Sequence, residues 1–336
     1  MQVSIVGYES CLPEREIDND FFDIDPKRLQ RGMFAGATLR RHVDQETCSE
    51  MLAQATHKLM DRFSLNAETD IDLILTNIGL GDQFFSGHGL VLAKMIGAKP
   101  KFIYDLENTG CISFVYMAQL AQMLIQQGVA KTALIGCVQA AVGRIYAHPD
   151  LRDKPQASIP GDGCGVAYLR VGGEAPILSI ETRSYPEYSE DMETVYPDGR
   201  KWWEPGTGQF SVKFDRSKIA KVIMRGNALV PEVVHAACAS LDMLPKDLDF
   251  LVTNQPNTLF LRNWREALEL PPEHHLHTFK RYGNLFGAAI PITLSEATRD
   301  GVLFEGARVC LASFSHAGDY TGALIYQHGA ANHPLA

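Results

Sequence analysis

The feature of this sequence that most constrains its fold is an internal repeat. The segment Asp70–Asn77 (DIDLILTN) reappears as Asp247–Asn254 (DLDFLVTN), with both aspartates, the threonine and the asparagine in the same places. An amphipathic helix is predicted before each segment, and a strand, a turn, an apolar helix and another strand are predicted after it. Because the match extends through four predicted elements, we expect the chain to consist of two related halves.

Strands that alternate with helices are typical of mainly parallel sheets covered by helices, so each half is predicted to be an α/β unit. Residues 1–172 are assigned to the N-terminal half and residues 173–336 to the C-terminal half. Residues 184–214 are rich in Tyr, Trp, Pro, Gly and acidic side chains and interrupt the repeat. They are interpreted as an excursion that caps a pocket or contacts a partner, with disorder as the alternative. Residues 329–336 are predicted to be an unstructured tail.

Composition excludes several classes of function. The net charge of −9, without a cluster of Lys or Arg, argues against a nucleic-acid-binding protein but allows a local basic entrance for an acidic carrier protein. The seven cysteines occur singly without a CxxC pair, which indicates reduced thiols and a cytoplasmic location. No signal peptide or membrane span is predicted. The histidines His274, His275 and His277 are interpreted as part of an exposed loop, and no metal site is predicted.

Cys111 is the strongest candidate for a catalytic residue. It lies at the start of a predicted buried helix over residues 111–128, between predicted strands at Phe102–Tyr104, interpreted as buried, and Ala133–Ile135. A helix N-terminus favours the thiolate form of a cysteine, and the backbone N–H groups there can hold an oxyanion. The alternative is a structural cysteine at the start of an ordinary core helix.

Four motifs occur in an order that resembles a known family. They are Asn108–Phe114 (NTGCISF), Pro160–Ala167 (PGDGCGVA), Tyr282–Pro291 (YGNLFGAAIP) and Ser313–Leu324 (SFSHAGDYTGAL). Together they resemble the nucleophile turn, the glycine-rich strand entry, the active-site asparagine turn and the C-terminal loop of the ketoacyl-acyl-carrier-protein synthase III group. The resemblance covers nearly the whole chain. It implies the thiolase fold, in which duplicated α/β halves form a layered α-β-α-β-α sandwich.

The resemblance also implies roles for individual residues. Cys111 would take an acyl group from a thioester, and the side-chain amide of Asn284 would face that thioester, with a helix N-cap as the alternative role. The strand that ends in His-Gln-Ala-Asn in the family ends here in Asn254–Asn257 (NQPN), so Asn254 occupies the position of the catalytic histidine. Its amide donates hydrogen bonds but carries no proton near neutral pH, and a strand-end turn residue is its alternative role.

Two further departures concern the C-terminal loop and the cofactor region. Where the family has glycines, this chain has Ser315–Asp319 (SHAGD), and we hypothesise that His316, oriented by Asp319, supplies the missing base. A surface or packing histidine is the alternative. The tryptophan and arginine that bracket coenzyme A adenine in the family are not recognisable between residues 31 and 41, where Arg40 and Arg41 are the nearby basic residues.

The favoured function is an acyltransferase or condensing enzyme of secondary metabolism that works through an acyl-Cys111 intermediate. The first alternative is a non-catalytic partner subunit of a heteromeric ketosynthase-like complex, and the second is a standard ketoacyl synthase III. No permanently bound cofactor is expected, and the donor is an acyl-coenzyme A or acyl-carrier-protein thioester. The acceptor is expected to be a small molecule. The family resemblance implies a dimer, either of identical chains or with a different partner.

Overall fold

A computed structural model of the chain describes residues 1–29, 32–83, 85–107, 109–214 and 218–330. Asn108, the first residue of the nucleophile motif, and residues 331–336 of the predicted tail lie outside the described residues. The strands are β1 (Val3–Cys11), β2 (Glu16–Asp18), β3 (Leu39–Arg41), β4 (Leu73–Ile78), β5 (Phe102–Asp105), β6 (Thr132–Gln139), β7 (Gly163–Val171), β8 (Ile177–Ser184), β9 (Met192–Val195), β10 (Ser211–Phe214), β11 (Phe250–Thr253), β12 (His275–Leu276), β13 (Arg308–Ser315) and β14 (Tyr320–Gln327). The helices are α1 (Pro26–Leu29), α2 (Cys48–Phe63), α3 (His88–Ile96), α4 (Ser113–Gln126), α5 (Val142–Ile145), α6 (Pro149–Arg152), α7 (Ile219–Ala239), α8 (Thr258–Ala267), α9 (Phe279–Tyr282) and α10 (Ala289–Arg299).

Two five-stranded sheets have the same internal order. The first sheet runs β1-β7-β6-β4-β5, and the second, read in the same direction, runs β8-β14-β13-β11-β12. In each sheet the first three strands pair antiparallel and the last three pair parallel. The repeated sequence segments contribute the equivalent strands β4 and β11. The sheets therefore realise the predicted duplication at the level of topology.

The two sheets enclose a shared layer of helices. Apolar side chains of α4 and α10, among them Phe114, Met117 and Ile292, are fully buried in one cluster with residues of both sheets. The outer faces are covered by α2 and α3 on the first sheet and by α7 and α8 on the second. Because α4 meets a sheet on either side, it is apolar on most of its circumference. The resulting five layers confirm the predicted α-β-α-β-α sandwich.

The sequence also determines how several elements begin and end. Thr47 and Glu50 form a reciprocal capping box at the start of α2. The predicted helix after Cys111 begins two residues later than expected, because residues 110–112 form a 3₁₀ turn before α4. Gly128, with φ of +72°, follows the end of α4 in the left-handed conformation expected of a C-terminal glycine.

Two local interpretations of the sequence are wrong. The strand at Phe102–Tyr104 exists as part of β5, but it is an edge strand, and Phe102 and Tyr104 are 36% and 41% exposed. The histidine segment is not a uniformly exposed loop, since His275 is buried in strand β12 and makes a 3.0 Å hydrogen bond with Thr253 Oγ1. Both errors concern strands at sheet edges, where short apolar runs give little indication of how many neighbours a strand has.

The excursion lies outside both sheets. It begins at the end of β8 and contains the 3₁₀ turn Pro186–Tyr188 and the antiparallel hairpin β9–β10. Trp202 and Trp203, between the hairpin strands, are exposed. Among the helices that the structure describes, none has the length and hydrophobicity needed to cross a membrane.

Candidate active site

The turn that carries Cys111 is fastened to a strand of the other half. Ser313 Oγ donates a hydrogen bond to the carbonyl oxygen of Cys111 at 2.8 Å. Ser315 Oγ accepts one from the Ile112 N–H at 2.9 Å and donates one to the carbonyl oxygen of Thr109. Residues two apart on a strand point to the same face, so both serines of β13 reach the turn. The candidate nucleophile is therefore held by contacts between the two sheets.

A second turn packs on the first at very short range. A Cβ atom added to Gly287 would lie 2.2 Å from Ser113 Oγ and 2.9 Å from the carbonyl oxygen of Gly110. Asn284, three residues earlier, accepts a hydrogen bond from the Phe286 N–H at 3.0 Å through its side-chain oxygen. In the described part of the chain, the side-chain NH₂ of Asn284 has no hydrogen-bond partner. Asn284 therefore forms a local side-chain turn before the 3₁₀ turn Phe286–Ala288, whose N-cap is Leu285, so the expected N-cap role is not observed.

The pKa of the Cys111 thiol is set mainly by burial. Cys111 is half-buried, whereas the other six cysteines are buried. Burial raises the pKa of the thiol to about 12, although the Asn254 side chain and the Cys111 N–H lower the pKa and the Asp319 carboxylate raises it. Desolvation therefore opposes the effect that the helix N-terminus is expected to have on the thiolate. A raised pKa favours the protonated thiol at neutral pH.

Asn254 has a structural role in addition to its contact with the thiol. Its side chain is buried, donates to the Phe314 carbonyl oxygen at 3.1 Å and accepts from the Phe314 N–H at 3.3 Å. Its counterpart in the repeat, Asn77, likewise donates to a backbone oxygen, that of Leu106, at 2.6 Å. In both halves, an asparagine at this strand end thus hydrogen-bonds the backbone at the end of a neighbouring strand.

His316 lies beside the nucleophile turn. Its Nδ1 is 2.9 Å from one carboxylate oxygen of Asp319 and 3.2 Å from the other. Its Nε2 lies against Gly110, since a Cβ atom on that glycine would be 2.9 Å from it. The His316 side chain is 29% exposed and that of Asp319 is 13% exposed. Within the described residues the ring makes no hydrogen bond to the Cys111 thiol, so it is adjacent to the nucleophile without being bonded to it.

The loop supports His316 in an unusual backbone conformation. His316 has a φ of +45°, a region in which glycine is favoured. Gly110 has a φ of +55° and, having no side chain, leaves the space that the imidazole fills. A non-glycine residue in this conformation costs free energy, and such strain is typical of functional sites.

The two basic residues nearest to where the family has its adenine-bracketing residues make interactions within the chain. Arg40 is 1% exposed and donates to Asn19 Oδ1 at 2.9 Å and to the Ala37 carbonyl oxygen at 3.2 Å. Burial lowers the pKa of its guanidinium to about 10. Arg41 forms an ion pair with Glu16 at 3.0 Å. These two arginines are therefore already used within the fold.

The glycine-rich motif at the start of β7 contains a carboxylate that joins two other segments of the chain. The Asp162 carboxylate is fully buried and accepts three backbone N–H groups, those of Val43, Val142 and Gly143, at 2.7–2.9 Å. Burial raises the pKa of this carboxyl to about 6, although these hydrogen bonds lower the pKa. In the described ranges no group of three or more His, Cys, Asp or Glu side chains is arranged to hold a metal ion.

Sequence reasoning missed the residues that hold the site together. Ser313, Ser315 and Gly287 were not singled out, although all three lie in segments recognised as motifs. The spacing of two between the serines, which places both on one face of a strand, is the signal that was available.

Comparisons with known proteins agree on one family. The N-terminal and C-terminal family models of 3-oxoacyl-[acyl-carrier-protein] synthase III match residues 104–186 and 238–328. A β-ketoacyl-[acyl-carrier-protein] synthase III from Granulibacter bethesdensis is 29% identical over 322 residues, covering 91% of this chain and 94% of the relative. The corresponding crystal structure from Pseudomonas aeruginosa PAO1 has a TM-score of 0.84 at 22% identity, covering 98% of this chain and 99% of that one. A structure described as a tetronic acid condensing enzyme has a TM-score of 0.83 at 23% identity, covering 97% and 100%, and like the previous one it shows the fold alone.

Proposed function

Because the chain belongs to the 3-oxoacyl-[acyl-carrier-protein] synthase III family, we propose that it transfers an acyl group from a thioester through an acyl-Cys111 intermediate. The observation that carries the proposal is the position of His316, whose Nδ1 is at hydrogen-bond distance from Asp319 and whose Nε2 lies against Gly110, the residue before Cys111. Cys111 itself has a thiol with a raised pKa. A thiol of this kind needs a proton acceptor at the moment of attack. An imidazole oriented by a carboxylate is the usual group for that task.

In the first half-reaction, the Cys111 thiol gives its proton to His316 Nε2 as the sulfur attacks the carbonyl carbon of the donor thioester. The carbon–sulfur bond of the donor breaks, and the donor thiolate leaves with the proton returned by the imidazolium. The Cys111 N–H and the loop at His316 supply the oxyanion contacts in this scheme. Asp319 holds the imidazole in the tautomer whose Nε2 accepts a proton.

In the second half-reaction, a small-molecule acceptor attacks the acyl carbon. An alcohol or amine loses its proton to His316 Nε2, the bond to Cys111 breaks, and the sulfur takes the proton from the imidazolium. We favour such an acceptor because the resemblance places Asn254, which carries no proton, at the position of the histidine used in malonyl decarboxylation. The side chain of Asn254 is also engaged with the Phe314 backbone. Asn284 supplies its unpartnered amide to the acyl carbonyl.

The donor and the cellular context are also proposals. The internal interactions of Arg40 and Arg41 support an acyl-carrier-protein thioester as donor, with coenzyme A as the alternative and no permanently bound cofactor. An acceptor other than malonyl carrier protein fits a cytoplasmic enzyme of secondary metabolism.

We also propose a dimer that forms at strand β5. This strand ends its sheet, and the exposed rings of Phe102 and Tyr104 stack on it with centroids 6.4 Å apart. An edge strand with apolar side chains is a template for pairing with another chain, which we take to be a second copy. Sedimentation of wild-type protein and of the Phe102→Glu variant tests this, since the charge is expected to shift the dimer towards monomer. A monomeric wild-type chain, or a partner of different sequence in a co-purified complex, would contradict the homodimer.

Intact-mass spectrometry tests the catalytic proposal. After incubation with acyl thioesters, the wild-type mass should increase by one acyl group, and Cys111→Ala should abolish the increase. His316→Ala should slow transfer to hydroxyl or amine acceptors by about 10²–10⁴-fold, the usual contribution of general acid–base catalysis. His277→Ala, which removes a histidine from the far side of the second sheet, is the matched control. No mass increase in the wild type would favour a non-catalytic partner subunit, and release of CO₂ from malonyl carrier protein would favour a standard synthase III.

A further inference from the structure

The first residues of the excursion contact the loop that carries His316. We call residues 185–191 the cap base. The N–H of Tyr185 donates to the carbonyl oxygen of Asp319 at 2.7 Å. The ring of Tyr188 stacks on that of Tyr185 with centroids 5.8 Å apart. The first residue of the cap base is therefore hydrogen-bonded to Asp319, the residue that orients the imidazole.

The other end of the cap base is held on α7 by an ion-pair cluster. The Asp191 carboxylate lies 2.5 Å from Arg225 Nη2 and 2.7 Å from Lys218 Nζ. The side chains of Asp191 and Arg225 are 11% and 12% exposed, so solvent screens this pair less than a surface pair. Arg225 also lies over the ring of Tyr188, with its guanidinium carbon 3.7 Å from the centroid.

Arg225 also lies close to the His316 loop. A Cβ atom placed on Gly318 would lie 3.7 Å from both Cβ and Nε of Arg225 and 3.3 Å from Leu229 Cδ1. The Gly318 N–H in turn donates to the Ser315 carbonyl oxygen at 2.8 Å. The same arginine thus contacts the cap base and lies near the loop between His316 and Asp319.

We propose that Arg225, held in place by Asp191, is a positioning residue that sets the His316–Asp319 pair against the nucleophile turn. The inference rests on the proposed function, because it assigns Arg225 a role through His316. Docking of the cap base on α7 and alignment of the imidazole are then coupled. A cap that is displaced leaves Cys111 in place, since Ser313 and Ser315 hold it independently.

The test is a double-mutant cycle between Asp191 and His316, with the two half-reactions measured separately. Asp191→Asn keeps the shape of the side chain and removes the charge that holds Arg225. We expect it to slow acyl transfer to the acceptor by roughly tenfold, because small misplacements of a catalytic group are costly. Acylation of Cys111 should slow by a similar factor, because His316 takes the proton in both half-reactions, and binding of the donor should be unchanged. Glu190→Gln, which removes the same charge at the exposed neighbouring residue, is the matched control and should leave the rate unchanged.

The cycle separates a positioning role from a structural one. If Asp191 acts through His316, Asp191→Asn should have no further effect in a His316→Ala background. Arg225→Lys, which keeps the charge but loses the planar fork, should recover part of the rate lost in Arg225→Gln. Independent, multiplicative effects of Asp191→Asn and His316→Ala would overturn the inference while leaving the proposed function intact. Full transfer activity of His316→Ala would overturn the assignment of His316 as the base, and the absence of acyl transfer in the wild type would overturn the proposed function.

Discussion

The protonated state of Cys111 leads to a specific prediction about its reactivity. With a thiol pKa of about 12, the thiolate fraction at pH 7 is about 10⁻⁵, since each pH unit below the pKa lowers it tenfold. Iodoacetamide reacts with the thiolate, so the alkylation rate should rise about tenfold per pH unit and by about 10⁴-fold between pH 6 and pH 10. An unperturbed cysteine would approach its plateau near pH 9.5.

Intact-mass measurement of timed reactions gives this rate directly. Because the other six cysteines are buried, modification of the folded chain should report Cys111, and Cys111→Ser should remove it. His316→Ala should leave the slope unchanged, because no hydrogen bond joins the resting ring to the thiol in the described residues. A plateau at or below pH 8 would show that the thiolate is already formed, and would refute the conclusion that desolvation dominates this site.

Two further predictions concern the scaffold. Asp162→Asn places an NH₂ group against backbone N–H donors, so it should lower the free energy of unfolding by about 2–4 kcal/mol. Urea titrations at pH 7 measure this change, and a change within about 0.5 kcal/mol would contradict the burial argument. In the wild type, the raised pKa of about 6 means that the Asp162 carboxyl binds a proton more tightly in the folded state than in the unfolded chain. The stabilisation from this protonation is therefore present below about pH 4 and is lost as the pH rises through 6. Gly287→Ala should lower the melting temperature by several degrees and slow acylation of Cys111, because its Cβ would lie 2.2 Å from Ser113 Oγ. Ser113→Ala in the same chain should restore part of the loss. An unchanged melting temperature and acylation rate in the single variant would show that the two turns separate freely.

The fold was predictable because the repeat constrains topology more than any single element does. Two copies of one strand–helix order imply two sheets of one design, and the apolar circumference of α4 places it between them. The edge position of β5 and the burial of His275 were not predictable. Both depend on which strands are neighbours, and a run of two to four residues does not specify that.

The site was predictable as a set of motifs but not as an electrostatic environment. Cys111, Asn284 and His316 lie in segments with recognisable patterns, and Asp319 contacts His316 at hydrogen-bond distance. The pKa of Cys111 depends on how much of the thiol is removed from water, which is decided by packing between elements distant in the sequence. The contacts from Ser313 and Ser315 are likewise tertiary, spanning about two hundred residues.

The hydrogen bonds from Ser313 and Ser315 cross from one copy of the repeat to the other. Neither copy alone contains both the sulfur and the imidazole, so a fragment that ended between β7 and β8 would carry half of a reaction centre. In the proposed mechanism, turnover would therefore depend on how accurately the two copies are docked against each other.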